Sequence, residues 1–456
     1  MTTPTLRPSS TAAAEGGRLA GAAANLPVRA QRIADDIAAL AAVTEPGRPW
    51  TRRAFTPRFL EGRDVVAARM RAAGLETRID TAGNLFGRRP GRVPGLGTIM
   101  VGSHSDTVPD GGRFDGIAGV SVALEIARAL DDAGVALDHD LEVVDFLAEE
   151  VSVYGVSCVG SRSLAGVLDP TWLDRTRAEG GTLAEGIRDV GGDPARIGAA
   201  KRSDIRAFLE LHIEQGPVLE AERIDLGIVT AISGITRLEI LVEGRADHAG
   251  TTPMGSRADA LVAASALVGE IDRAAKAHLA TARGHFAATV GEFAMLPNAA
   301  NVVPSHVRML IDMRAEIRAD MEAFVPQVAA LAEAAAKAHG VTIAPPRLVS
   351  DNPPTPADPH LLATLEASAD AVGASRRRMA SGAGHDTAWV SRVAPAAMVF
   401  VACRGGRSHC AEEWAESDAI ALGAAVMLEA VVRLDREGAA ARAAAAGAET
   451  AVGEKR

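Results

Sequence analysis

Aromatic side chains make up only 3% of this 456-residue chain, with a single tyrosine among them. Platforms that stack single-stranded nucleic acid need repeated aromatics, so that class of function is disfavoured at once. Positive charge is short as well. Against 58 Asp and Glu stand 48 Lys and Arg, and the formal net charge of −10 opposes binding to a phosphate backbone. Cysteine occurs three times, at Cys158, Cys403 and Cys410, too few and too scattered for a disulfide framework. That usage points to a reducing, cytoplasmic setting. No apolar run approaches the roughly 18 residues a membrane span needs, so the chain reads as soluble, without a membrane partner.

What is plentiful is apolar residue, 48% of the total, and length enough for one large domain carrying a smaller one. Residues 1–25 are poor in acid and rich in Ala, Ser and Thr; lacking an apolar stretch of signal-peptide type, they read as a frayed start. Residues 437–456 read as a frayed, helix-capable tail. Apolar spacing predicts helices over 28–42 and 57–73, then an extended TRIDTAGNLFGRR with a turn at Ala82 and Gly83. TIMVG at 98–102 is suited to a buried strand, 116–130 to a helix, and DLEVVDFLAEE at 140–150 to a second strand, a strand–loop–helix–strand unit. AFLELHIEQG at 207–216 and APAAMVFVACRG at 394–405 are further strands. Between them the pattern changes to strand, helix, strand, strand, helix, strand over residues 226–350. The expected architecture is therefore α/β: a mixed sheet flanked by helices, built from 26–225 and 351–436, with an inserted split βαβ module of ferredoxin-like kind.

In open α/β sheets, active sites gather at the carboxyl ends of strands. Four segments end there on metal-competent residues: TIMVGSHSD, DFLAEE, ELHIEQ and VACRGGRSH. They supply His104 and Asp106, Glu149 and Glu150, His212 and Glu214, and His409. Taken singly, each has a plain structural reading. His104 and Asp106 can bond each other at a strand end, Asp115 can cap the helix beginning near Gly116, and adjacent glutamates can be a solvated strand end. Taken together, three histidines, Asp115 and one glutamate form a mixed ligand set suited to two divalent cations sharing an aspartate. A remaining glutamate is then free to take a proton from an attacking water.

At these residues the sequence resembles the hydantoinase/carbamoylase branch of the dinuclear metallopeptidase superfamily. The resemblance runs from about residue 29 to 433, through GSHSDTVPDGGRFDGIAGV, AEE with CVGSRSLAG, ELHIEQGPVLE, ADHAGTTPM, PNAANVVP with DMR, SGAGHDT and RGGRSH. It implies two divalent ions per subunit (Zn, Mn, Co or Ni), with Asp115 bridging, His104 and His212 on one ion, and Glu150 and His409 on the other. Glu149 would be the general base and Asp106 the residue orienting His104. His385 would serve the substrate or support the ligands, and Gln215 would recognise an amide. The inserted module would be a lid and dimerisation domain bringing His248, Asn301 and Arg314 to the substrate, Arg314 through a guanidinium that grips carboxylates bidentately. The implied reaction is hydrolysis of the carbamoyl C–N bond of an N-carbamoyl L-amino acid or a related linear ureido acid, in a homodimer. Allantoate and β-ureidopropionate are alternative substrates, and an aminoacylase or dipeptidase is an alternative activity. A catalytically silent ligand-binding protein is the alternative from another class, against which the intact Glu149 speaks. One departure stands out. Where members of the branch often carry EEGSRF, this chain has EEVSVYGVSCVGSR, which leaves the glutamate pair intact but bears on the substrate side chain. Cys158 and Cys410 read as small apolar fillers.

Overall fold

The computed structural model describes residues 28–453, so the expectation for residues 1–25 lies outside the described residues. Fourteen strands follow in chain order: β1 (Glu76–Ile79), β2 (Leu85–Arg89), β3 (Thr98–His104), β4 (Asp140–Phe146), β5 (Ile205–Ile213), β6 (Leu226–Ile232), β7 (Gly234–Glu243), β8 (Phe286–Leu296), β9 (His306–Ala315), β10 (Thr342–Ile343), β11 (Arg347–Asn352), β12 (Thr355–Pro356), β13 (Arg376–Ser381) and β14 (Ala396–Val401). They form two sheets, and the chain divides into two compact units.

The larger unit holds a nine-stranded sheet in the order β1-β2-β4-β3-β5-β14-β6-β12, with β13 also on β6. Its centre, β4-β3-β5-β14, is parallel, while β2 pairs with β4 and β6 with β14 antiparallel. The strand period of two sorts side chains into separate cores on the two faces. Ile99, Val101, Leu141, Val143, Leu209 and Leu211 enter a core with helices Ala30–Ala41, Ile117–Asp132 and Ser417–Gly453, whereas Met100, Val144, Phe146 and Phe208 pack on the opposite face. Because helices cover both faces, these strands read as continuous apolar runs rather than alternating ones. Helix Pro57–Ala72 starts where Thr56 Oγ1 accepts from Phe59 N at 3.3 Å and Pro57 presets the first turn.

The smaller unit comprises Thr230–Pro356 and Met379–Gly384. Its sheet runs β10-β7-β9-β8, with β11 also on β7, and these pairings are all antiparallel. With helices Ala260–Leu279 and Arg318–His339 this is the expected ferredoxin-like order. Alternate residues Leu238, Ile240 and Val242 of β7 and Val307, Met309, Ile311 and Met313 of β9 face those helices.

Three boundaries differ from expectation. Residues 226–229 do not open the inserted module, because β6 is hydrogen-bonded to β14 in the larger sheet. The β4 strand stops at Phe146, and Leu147–Glu150 turn away through Ala148 at φ 53°. The last helix continues to Gly453, past the domain end expected at residue 436 and along the stretch read as helix-capable.

Candidate metal centre

Parallel strands deliver their carboxyl ends to one edge. There β3 ends on His104, β4 leads into Glu149 and Glu150, β5 carries His212 one residue from its end, and β14 runs into the loop bearing His409. Asp115 reaches the same edge by a tight device. Gly116 has φ 67° and ψ −42°, and Ile117 N–H donates to Asp115 C=O at 2.7 Å, which together make a γ-turn at the entry of helix Ile117–Asp132. Only glycine fits this point, because a Cβ on Gly116 would come within 2.6 Å of the His104 ring. The turn swings the Asp115 carboxylate back over β3.

Two triads result, and Asp115 belongs to both. On one side, Asp115 Oδ1 lies 3.2 Å from His212 Nε2 and 3.5 Å from His104 Nε2. On the other, His409 Nε2 lies 3.1 Å from Asp115 Oδ2 and 3.1 Å from Glu150 Oε1. The first triad is buried; in the second, His409 keeps 49% of its side-chain surface exposed, and its backbone adopts φ 54°. Glu149 belongs to neither triad, yet its Oε2 stands 3.6 Å from His104 Nε2.

The donor set fits a cation. His212 Nδ1 sits 2.9 Å from Ile213 C=O and His104 Nδ1 sits 3.1 Å from Asp106 C=O, so each ring proton is assigned to Nδ1 and each Nε2 turns a lone pair inward. Lone pairs of imidazole and carboxylate at these separations repel unless positive charge lies between them. Hydrogen bonds to Asp115 and Glu150 push His409 up to about 11. Burial opposes charge on Asp115, yet bonds to His104, His212 and His409 hold its carboxyl well below the usual range. Burial pushes Glu149 well above the usual carboxylate range, against the pull of His104. Imidazoles with carboxylates suit Zn, Ni and similar divalent ions.

Asp106 is fully buried and does more than face His104. Its carboxylate accepts from Glu149 N at 3.3 Å and Glu150 N at 3.2 Å, fixing the backbone of the glutamate pair, while its Oδ1 stands 3.5 Å from His104 Nδ1. His385 is buried edge-on against His212, ring centroids 4.5 Å apart, and burial holds it well below the usual histidine range, hence neutral. Gln215 Nε2 donates to Asp115 Oδ2 at 2.7 Å and to Ser408 Oγ at 3.2 Å. Its Oε1 is buried with no partner among the described residues.

Sequence reasoning passed over several supporting residues. Arg52, pushed down to about 10 by burial, donates to Ser105, Leu40 and Val43 carbonyls beneath β3. Asp145 accepts from Ser105 Oγ at 2.9 Å and pairs with Arg63 at 3.0 Å. Cys158, read as a filler, lies 3.7 Å from Glu149 Oε1. Ser408 and Glu413 tie the loops on either side of Asp115. None of these has a spacing signal; only GGRFDG, with its crowded glycines, hints at close approach.

The remaining expected residues lie in the smaller unit. His248 bridges to Val302, Ala249 N donates to Asn301 C=O at 3.0 Å, and His248 Nδ1 accepts from Gly250 and Thr251 N–H. Hence the ADHAGTT and NAANVV segments run side by side, with His248 and Asn301 exposed. Arg314 is held on two sides, Nε to Asp312 at 2.8 Å and a terminal nitrogen to Gly382 C=O at 2.6 Å.

Comparison with known proteins places the chain in a family. Residues 100–433 match peptidase family M20/M25/M40. The chain is 38% identical to an N-carbamoyl-L-amino-acid amidohydrolase of Paenarthrobacter aurescens, over 90% of this chain and 98% of that one. It is 35% identical to an allantoate amidohydrolase of Bacillus subtilis, over 84% and 92% of the two chains. A crystal structure of a hydantoinase/carbamoylase family amidase from Burkholderia multivorans superposes with a TM-score of 0.81 at 35% identity, covering 90% of this chain and 98% of that one. Family and fold agree: this chain is a C–N bond hydrolase that belongs to peptidase family M20/M25/M40, on its hydantoinase/carbamoylase side.

Proposed function

We propose that the enzyme hydrolyses the carbamoyl C–N bond of an N-carbamoyl L-amino acid, releasing the amino acid, ammonia and carbon dioxide. One observation carries the reading: two ligand triads share Asp115, and Glu149 stands beside them without belonging to either. His104, Asp115 and His212 would hold one divalent ion, and Asp115, Glu150 and His409 a second. Bound there, such ions supply the positive charge that acidifies water and offsets charge growing on the substrate oxygen. Glu149 takes a proton from the attacking water as its oxygen bonds the carbamoyl carbon, and returns it to the leaving nitrogen. Burial suits Glu149 to both roles, because a raised carboxyl accepts and releases a proton nearer neutral pH. Asp106 holds the glutamate pair by its backbone, and His385, neutral and packed on His212, keeps that ring in place. Gln215, His248, Asn301 and Arg314 are assigned to the substrate, Arg314 to its carboxylate. We further assign the enzyme to the cytoplasm and to homodimers.

An allantoate substrate is the second reading, favoured by the Bacillus subtilis relative. The test is ammonia release from N-carbamoyl L-amino acids, N-carbamoyl-β-alanine and allantoate, with N-acetyl amino acids and dipeptides alongside, each with Mn²⁺, Zn²⁺ or chelator. Ammonia from the carbamoyl amino acids, lost in Glu149→Gln, is expected. Faster release from allantoate selects the second reading, and faster cleavage of acetyl or dipeptide substrates refutes both.

A further inference from the structure

We infer that Glu413 is a positioning residue that holds Asp115 at the shared point of the two triads; the inference rests on the metal-site reading proposed above. Glu413 is 1% exposed, and its carboxylate accepts three hydrogen bonds. Phe114 N and Asp115 N donate to Oε1 at 2.8 and 3.0 Å, and Ser408 Oγ donates to Oε2 at 2.7 Å. Ser408 Oγ also stands 3.1 Å from Asp115 Oδ2, the oxygen that meets His409. One side chain, 298 residues beyond Asp115, thus grips that residue's backbone directly and draws away from its carboxylate the one proton of the hydroxyl beside it.

The arrangement has a chemical logic. Ser408 has one proton and two carboxylates within reach, and the shorter contact is to Glu413. With the proton directed there, Ser408 takes no lone pair from Asp115 Oδ2, which accepts from Gln215 Nε2 at 2.7 Å and keeps its other lone pair for a cation. Setting a buried carboxylate beside Asp115 is unfavourable in itself, and three hydrogen bonds to the charged form offset part of that cost. An apolar side chain would anchor the loop without that cost but would leave two backbone N–H groups unpaired. Gly112 is part of the fit, since a Cβ there would overlap the Glu413 carboxylate. Asp115 has an oxygen on each triad, so a small rotation of its carboxylate would disturb both.

Glu413→Gln keeps the shape and can still accept both backbone N–H groups, but it turns an amide NH₂ toward Ser408 and sends the serine proton to Asp115. Titrating the chelator-treated full chain with Co²⁺, and following visible absorbance, reads affinity and ligand geometry without turnover. Loss of outer hydrogen-bond partners commonly weakens metal affinity about 10- to 100-fold, and that loss is expected for Glu413→Gln, with shifted Co²⁺ bands and a melting temperature near the parent's before metal is added. Glu413→Asp, which keeps the charge but is one methylene short of Phe114 N, Asp115 N and Ser408 Oγ, should weaken Co²⁺ in the same direction and decides the matter if Glu413→Gln does not fold. Parent-like affinity and spectrum in the folded variants overturn the inference. A parent chain that takes up no Co²⁺ overturns the metal-site reading and this one with it.

Discussion

Replacing Gly116 by alanine tests whether the γ-turn aims the site or merely joins a strand to a helix. Two costs follow from the geometry. At φ 67° and ψ −42° an L-residue occupies a sparsely populated region, which costs about 1–3 kcal/mol. The new methyl would also lie 2.6 Å from His104 Cδ2, and closer still to Cε1 and Nε2. Ordinary contact is about 3.5 Å, so ring or turn must retreat by about 1 Å. Displacements of that size cost about 100-fold at a reacting centre. A domain stable by about 5–15 kcal/mol absorbs the backbone term and still folds. Gly116→Ala should therefore remain folded, lose about 1–3 kcal/mol in urea unfolding of the chelated protein, and bind Co²⁺ or Zn²⁺ about tenfold or more weakly. A variant that loses stability but binds metal and turns over like the parent would refute the claim that the turn aims Asp115 against His104.

Three further outcomes are expected. Asp435 accepts from Asp138 N, His139 N and the His139 ring at 2.8 to 2.9 Å; Asp435→Ala removes the acceptor of all three and should cost about 3 kcal/mol or more in urea unfolding, at about 1–3 kcal/mol per group. Hydrogen bonding and charge from Arg202 hold Asp204 down to about 2. A depressed carboxyl stabilises above its unfolded value near 4 and loses that contribution as pH falls toward 2, so the parent should lose acid stability across this window and Asp204→Asn should not. Chelation should abolish turnover and lower the melting temperature reversibly: an ion at about 100 times its Kd stabilises by about 2.7 kcal/mol. An unchanged melting curve with full activity would count against any resident metal.

The residues of the two triads were legible because their chemistry is local. His104, Glu150, His212 and His409 lie at or beyond the end of an apolar run, and parallel pairing of β3, β4, β5 and β14 brings those strand ends together around Asp115. The smaller unit was legible for a similar reason, since two long amphipathic helices and alternating strands leave few ways to cover one sheet face. The partnership of β6 was hidden. LGIVTAI is apolar enough for either sheet, and only its hydrogen bonds to β14, far along the chain, decide. Glu413 was hidden for the opposite reason. In AEEW a glutamate looks like surface charge, and nothing nearby announces that it turns inward to cap a loop from the other end of the chain.

The place of β14 in the sheet also sets when the site can exist. It lies between β5 and β6 near the middle of the sheet, although it is the last strand to be synthesised, and His409 and Glu413 follow it. A chain still missing that segment has His104, Asp115, Glu150 and His212 but no closed sheet and only one complete triad. Pairing across such sequence distances forms late and slowly. Any fragment that ends before residue 409 therefore carries the His104–Asp115–His212 triad without the one that needs His409.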